Sequence, residues 1–304
     1  MVIRTFAALE ASLKGRPPLR PAVAGAEDAP TLQALAAALE DGVIDGAVLA
    51  GDPDRIGAIL PPVLAARVTI LPAATATEAA TLAVAAIRDG HADVLVKGSV
   101  DSAAYLRTVV ARETGLRASD VLSNVTLAEM PSVPRLIGAT DNGIVLLPTL
   151  AQKRAILANA VPLFLGLGVS PLRVAAIAAS EKVHPAQPAT TDAAALRDEW
   201  AGNDRVMVDG PFGYDVALSP ASAVKKGFGD SPVAGQADLI LFPSIEAGNA
   251  TVKAWKLHGQ ARTASIVMGA RVPVLLNSRA DGAEQRRLGL LLAAAARMGQ
   301  GGTP

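Results

Sequence analysis

Near the end of the chain a strand-like run, Val272-Pro273-Val274-Leu275-Leu276, leads straight into Asn277-Ser278-Arg279-Ala280-Asp281. The junction offers a hydroxyl, a guanidinium and a carboxylate within four residues. Arginine's planar fork suits a phosphate or a developing oxyanion, and a neighbouring serine adds a hydrogen bond. In open α/β sheets ligands bind in the crevice beyond the carboxyl ends of the strands, which is where this string falls. Ser278 and Arg279 are therefore the candidate catalytic pair. The competing structural reading has Ser278 capping the next helix and Arg279 pairing with Glu284 at the surface.

Other polar groups also follow apolar runs. Lys97-Gly98-Ser99 ends one run and is expected to open a helix, where it would hold an anion on helix amides or line a cleft. Glu181-Lys182-Val183-His184-Pro185, Asp209-Gly210-Pro211 and Ile245-Glu246-Ala247-Gly248-Asn249 each come just after an expected strand. Asp209 and Glu246 have helix capping, or pairing with Lys182 or Lys253, as alternative roles, but together these segments suggest a polar cleft. Two other chemistries find little support. His91, His184 and His258 are far apart, none at metal-ligand spacing to a partner, and no serine sits in a Gly-x-Ser-x-Gly elbow. Gly166-Leu167-Gly168 follows a helix rather than a strand, so it reads as a helix stop and not as a dinucleotide loop.

The elements that must position these residues repeat a helix-then-strand rhythm. Asp28-Ala29-Pro30 caps and opens a helix through Leu39, stopped by Gly42, ahead of Ala47-Val48-Leu49-Ala50. Thr75 with Glu78, and Thr149 with Gln152, have capping-box spacing. The first of these helices leads into Ala92–Val96, and the second runs toward Gly166 with Pro162 as a kink. Short apolar runs at Val174–Ala178, Arg205–Val208, Ala237–Phe242 and Thr263–Met268 continue the series. Short buried strands alternating with helices predict a doubly wound α/β protein with mostly parallel sheets.

At 304 residues the chain exceeds the size at which one core usually keeps growing, so two domains are expected. Leu127–Pro134, with two prolines, reads as a crossing strand or linker. The expected division is a discontinuous first domain, 1–126 with 279–304, and a second, 127–278.

Composition narrows the function. Hydrophobic residues make up 51% of the chain and the formal net charge is +0, without a basic run, so a nucleic-acid partner is not expected. The chain has no cysteine, which removes disulfides, thiolate metal sites and a cysteine nucleophile, and any reacting thiol must arrive with a substrate. The start, Met1-Val2-Ile3-Arg4-Thr5, shows no secretory pattern, and the apolar stretch Asn159–Ser180 is broken by Pro162, Gly166, Gly168 and Pro171. A cytoplasmic enzyme acting on small molecules, with no membrane partner, is the expectation.

Together these segments resemble the phosphate acetyltransferase and phosphate butyryltransferase family over nearly the whole chain. The resemblance lies in Pro21–Asp28, Ala92–Gly98, Glu181–Pro185 with Pro188-Ala189-Thr190 and Asp192-Ala193, and above all Ser231–Gly235 through Ala237-Asp238 to Glu246–Asn249. It implies reversible transfer of a short acyl group, acetyl to butyryl, between coenzyme A and inorganic phosphate. The implied fold has two α/β domains around a cleft, like isocitrate and isopropylmalate dehydrogenases, with no metal, no resident cofactor, and a homodimer or larger assembly. In the acetyl branch a Ser-Arg pair handles phosphate and the tetrahedral intermediate while an aspartate takes the thiol proton, and Ser278 and Arg279 match that pair.

The aspartate is displaced, because the acetyl-branch spacing lands on Gln285, which cannot be a base. The nearby carboxylates are Asp281 and Glu284, and Ser278-Arg279-Ala280-Asp281 looks more like the butyryl branch, so Asp281 is favoured as general base. Lys97, Gly98, Asp209, Glu246, Gly248 and Asn249 are the expected substrate-binding residues. Two alternatives remain on the sequence. One is a metal- and NAD(P)-dependent decarboxylating dehydrogenase of the same fold, with Asp209, Asp215 and Asp238 as the carboxylates to assemble. The other is a non-catalytic acyl-coenzyme A binding subunit.

Overall fold

The computed structural model describes residues 2–278 and 281–300. Side-chain caps delimit its helices much as local chemistry dictates. After α1 (Phe6–Leu13), Asp28 caps α2 (Ala29–Glu40) by accepting from the Thr31 amide, and Gly42 follows at φ +72°, a conformation that favours glycine. Beyond the short α3 (Pro53–Gly57), Thr75 caps α4 (Ala76–Arg88) through the Glu78 amide. The Glu78 carboxylate returns to the Ala74 amide instead of to Thr75, so the expected capping box closes one residue early. After α5 (Ser102–Val110), Thr149 and Gln152 form the full reciprocal box at the start of α6 (Leu150–Gly166). Pro162 lies inside α6 and the helix continues past it, because its buried residues Leu157, Ala160, Leu163 and Phe164 hold the turns on either side.

The chain divides into two compact units. In the first, residues 7–119 with 264–300, the described strands are β1 (Pro21–Ala24), β2 (Ala47–Gly51), β3 (Val68–Pro72), β4 (Val94–Lys97), β11 (Val274–Leu275) and most of β10 (Arg262–Met268). Their order is β3-β2-β1-β4-β11-β10, parallel except for β10 against β11. Every residue of β1, β2 and β4 is buried, as strands covered on both faces must be, and α11 (Ala283–Gln300) packs its leucines and alanines in the same unit.

The second unit, residues 2–6 with 120–263, holds β5 (Ser123–Met130), β6 (Val133–Thr140), β7 (Leu172–Ile177), β8 (Val206–Phe212) and β9 (Leu239–Leu241). The described order is β5-β6-β9-β7-β8, with β5 and β6 antiparallel and the others parallel. Its helices beyond α6 are α7 (Pro188–Glu199), α8 (Tyr214–Leu218), α9 (Pro220–Lys225) and α10 (Ile245–Leu257). The segment expected as a crossing strand or linker, Leu127–Pro134, instead closes the β5–β6 hairpin: it holds the end of β5, the turn at Pro131-Ser132 and the start of β6, with Met130 opposite Val133.

The units break at 119/120 and 263/264, not at 126/127 and 278/279. A break after residue 126 would cut β5, whose pairing with β6 begins at Thr126. Residues 264–278 supply β10 and β11 to the first sheet, so they belong with it. No described helix is long and apolar enough to cross a membrane.

Candidate active site

The parallel pairing of β4 with β11 sets Leu95 beside Val274 and Val96 beside Leu275. Continuing that register one and two residues brings Lys97 and Gly98 to the same sheet end as Asn277 and Ser278. A cavity of about 310 Å³ opens there, lined by Lys97, Val100, Asp101, Ser102, Asn277 and Ser278. Lys97 is buried with its Nζ 3.3 Å from the Gly98 carbonyl, Asn277 is buried, and Ser278 is exposed. One of the expected substrate residues, Lys97, and one of the expected catalytic residues, Ser278, therefore share one pocket. Arg279 lies outside the described residues.

The Lys97–Ser99 turn is locked by glycine. The Gly98 amide donates to the Ala24 carbonyl at 2.9 Å and the Ser99 amide to the Gly25 carbonyl at 2.7 Å. A Cβ at Gly98 would stand 2.0 Å from the Gly25 carbonyl oxygen, so this approach admits only glycine. Ser99 Oγ donates to the Glu27 carboxylate at 3.2 Å, and Glu27 also accepts the Asp52 amide at 2.6 Å, tying the ends of β1, β2 and β4 together.

One expectation fails at this turn. The helix after Lys97-Gly98-Ser99 does not begin there but at Ser102, capped by Asp101, whose Oδ1 accepts the Ala103 and Ala104 amides at 3.0 Å each. Those helix amides are already taken by the protein's own carboxylate, so an anion in the cavity meets Lys97 and side chains instead of a free helix end.

Asp281 turns back on the site, its Oδ2 accepting the Ser278 amide at 2.8 Å while its own amide donates to the Ser278 carbonyl. Gln285 is a cap: its Oε1 accepts the Gly282 amide at 3.1 Å ahead of α11. Arg286, buried, donates to the Asp281 carbonyl and to Thr31 Oγ1 and stands 3.2 Å from Asp28, which fixes the start of α11 to the start of α2.

The second unit holds its own polar cluster at the carboxyl end of β6, which sequence reasoning caught only in part. Gly248 of α10 packs so close that a Cβ would lie 2.7 Å from the Asp141 carbonyl, and Asn249 Nδ2 donates to the Asn142 carbonyl at 3.3 Å. Asn142 exchanges hydrogen bonds with Asn124 and Thr126, all three buried. The Asp141 carboxylate accepts four amides, those of Asn124, Gly143, Ile144 and Val145, at 2.8 to 3.2 Å. The signal that could have found this hub is the Asp-Asn-Gly turn at 141–143, directly after a strand. Glu246 stands exposed in the first turn of α10, its carboxyl held below the usual range by its own amide and the Ser244 hydroxyl.

Burial pushes the Asp141 carboxyl above its ordinary pKa, and the four amides oppose that rise. Asp141→Asn sets an amide NH₂ against the Val145 amide and is expected to cost about 2 kcal/mol in denaturant unfolding. A folded-state pKa raised above the unfolded one contributes stability that is full below the ordinary aspartate pKa and lost as pH rises through the raised value. The gap between the native protein and the variant should therefore be widest in acid and narrow with rising pH; a gap that grows with pH would refute the assignment.

Asp209 does not follow β8 but lies within it, paired with Ala175, because the strand continues through Phe212. Its Oδ2 accepts from Ser231 Oγ at 2.5 Å and its Oδ1 from the Gly210 amide, while Ser231 Oγ accepts the Val233 and Ala234 amides. Asp209 thus anchors the turn of the Ser231–Gly235 segment. The three carboxylates of the dehydrogenase alternative have separate partners: Asp209 has Ser231, Asp215 has Lys226, and Asp238 is 3.8 Å from Arg135. Lys226 also bridges to Glu181, and holds both Glu181 and Asp215 below their usual range. Among the described residues no three His, Cys, Asp or Glu side chains form a group that could hold a metal ion.

A larger cavity, about 830 Å³, lies at the opposite, amino ends of β2 and β3, with Arg20, Asp45, Arg67, Asp89 and His91 among its lining residues. Arg20 and Asp45 are paired with each other at 3.3 Å. Ligand chemistry in parallel sheets belongs to the other end, where Lys97 and Ser278 are.

The family model described as Phosphate acetyl/butaryl transferase matches residues 66–294, a span containing both Lys97 and the Ser278-Arg279 junction. The chain belongs to the phosphate acetyl/butyryl transferase family. A family member from Bacillus subtilis (strain 168), "Probable phosphate butyryltransferase", is 38% identical over 275 residues, covering 90% of this chain and 91% of its own. The phosphate butyryltransferase of Clostridium acetobutylicum is 34% identical, covering 96% of this chain and 98% of its own. In fold, the chain is similar to the crystal structure of a branched-chain phosphotransacylase from Enterococcus faecalis V583, with a TM-score of 0.80 at 24% identity over 91% of this chain and 98% of that one. Membership of this acyltransferase family favours the enzyme reading over the dehydrogenase and the binding subunit.

Proposed function

We propose that the protein reversibly transfers a short acyl group, acetyl to butyryl, between coenzyme A and inorganic phosphate. The observation that supports this most is the cavity at the carboxyl ends of β4 and β11, with buried Lys97 beside Asn277 and Ser278, in a member of this family. In the proposed arrangement the protein is built of two doubly wound α/β domains around a cleft, like isocitrate and isopropylmalate dehydrogenases. It acts as a homodimer or larger assembly in the cytoplasm and needs no resident cofactor.

The chemistry follows from the groups available. The chain has no cysteine, so the nucleophile is the thiol of coenzyme A. Asp281 or Glu284 takes the thiol proton, and a thiol of pKa near 8.5, already about a few per cent ionised at neutral pH, needs only modest help. The thiolate attacks the acyl phosphate carbonyl, and a C–S bond forms. The C–O bond to phosphorus breaks, and phosphate leaves with the electron pair. Ser278 and Arg279 stabilise the tetrahedral oxyanion and the leaving phosphate, with Lys97 supplying a second cation. Gly98 shapes the turn beside them, and Glu246, Gly248 and Asn249 are proposed as further substrate-binding residues, with Asp209 supporting the Ser231 turn.

Purified protein given coenzyme A and acetyl, propionyl or butyryl phosphate should form the thioester, and the three rates rank the acyl groups, each methylene being worth about 1 to 3 kcal/mol of discrimination. A folded protein that turns over none of them removes the proposal.

A further inference from the structure

We infer that Arg286 is a positioning residue for the acyl transfer: it anchors Ser278 and Asp281 to the frame that carries Lys97, and so governs turnover without touching substrate. This inference rests on the phosphate acyltransferase reading and adds to it a residue that is not part of the cavity wall.

A buried arginine in the first turn of a helix is out of place. The amino end of a helix is the positive end of its dipole, so a cation there weakens α11. Burial also takes the guanidinium out of water, and only well-placed charge-assisted bonds offset that. Arg286 is 6% exposed and has them. Its Nε donates to the Asp281 carbonyl at 3.1 Å, and its Nη1 donates to Thr31 Oγ1 at 2.8 Å and stands 3.2 Å from the Asp28 carboxylate. One rigid fork therefore holds Asp281 on one side and the capped start of α2 on the other.

What it holds is the candidate catalytic pair. Asp281 Oδ2 accepts the Ser278 amide at 2.8 Å and the Asp281 amide donates to the Ser278 carbonyl at 3.1 Å, so a shift of the Asp281 main chain passes to Ser278. On the other side, α2 follows β1, and β1 pairs with β4 through Ala24 beside Lys97. The guanidinium thus joins the serine wall of the cavity to its lysine wall. A displacement of about 1 Å at the reacting groups costs about 10²-fold in rate, while substrate contacts made elsewhere persist and hold KM.

Arg286→Met tests this, with Arg287→Met as control. Arg287 bridges Glu10 of α1 and Asp41 at the end of α2, so its loss loosens the same helix without touching Asp281. With coenzyme A and the acyl phosphate that the native protein uses fastest, Arg286→Met should lose about 10- to 100-fold in kcat, with both KM values within about twofold of native. Arg286→Lys should recover part of the loss, since an ammonium lacks the fork that reaches Asp281 and Asp28 together. Arg287→Met should keep kcat within about twofold although its unfolding midpoint falls. Hydrogen exchange at the Ser278 amide should quicken at least about 10-fold in Arg286→Met and stay native in Arg287→Met. A kcat within about twofold of native in Arg286→Met overturns the inference, as does an equal loss in both variants. Should Arg286→Met not fold, Arg286→Lys against Arg287→Lys carries the same comparison. Absence of thioester formation by the native protein would count against the acyltransferase reading, and the exchange measurement then decides on Arg286 alone. Normal native turnover with unchanged kcat in Arg286→Met refutes only the role of Arg286.

Discussion

Ser278→Ala and Arg279→Ala each lower the turnover of acyl transfer by about 10²-fold or more while the protein stays folded. The expectation has different grounds for the two residues. Ser278 is exposed at the cavity, and its main-chain amide and carbonyl meet Asp281. Removing the hydroxyl keeps those two main-chain bonds and takes away one donor to the charge that develops in the transition state. Arg279 is assigned from the sequence match alone, and its planar fork can hold two oxygens of a phosphate at once. Arg279→Lys should recover only a fraction of the loss, since an ammonium keeps the charge but not the bidentate geometry. Steady-state rates with acyl phosphate and coenzyme A, alongside circular dichroism, provide the check. A rate within about twofold of the native enzyme for either alanine variant would dismiss that residue from the chemistry.

Gly98→Ala is expected to be the most damaging single methyl group in the first unit. The added Cβ would sit 2.0 Å from the Gly25 carbonyl oxygen and 3.1 Å from that of Ala24, both backbone atoms that cannot swing aside. Gly25 itself is at φ +70° with Ser99 and Val100 against it, so the two turns have no slack to share. Relief requires pulling β4 away from β1, which breaks the Gly98 and Ser99 amide bonds and shifts Lys97 in the cavity wall. Overpacking against backbone and the lost hydrogen bonds together should cost about 4 kcal/mol. Denaturant unfolding should show a large drop in midpoint at unchanged slope, with activity falling in parallel. Gly57, where an added methyl would meet nothing within 4 Å, is the control, and its alanine variant should match the native protein. A Gly98→Ala protein of native stability would mean that the β1 and β4 turns do not meet as described.

Much of the architecture was legible because its determinants are local. Asp28 and Thr149 cap helices through amides three residues on, and Gly42 ends one by its own conformation. The β5–β6 hairpin was missed because Pro131 and Pro134 obscured the alternating pattern, and a hairpin's stability comes from its partner strand. The same limit applies at Asp209: a strand was expected to stop before it, yet the pairing of β7 with β8 extends to Phe212. At Glu78 the residue spacing was right and the partner wrong by one, since a long side chain chooses among neighbouring amides by geometry that spacing does not record.

The sequence by itself determined the helices and most strands, the family, and the Ser278-Arg279 junction, because caps, periodicity and motif strings depend on residues close together in the chain. The tertiary structure alone decided that Lys97 shares a cavity with Asn277 and Ser278, and that Asp281 bonds the Ser278 amide while Gln285 caps a helix. The physical reason is the register of β4 against β11. Parallel strands joined by a long stretch of chain are aligned by the packing of everything between them, and no run of neighbouring residues specifies that alignment.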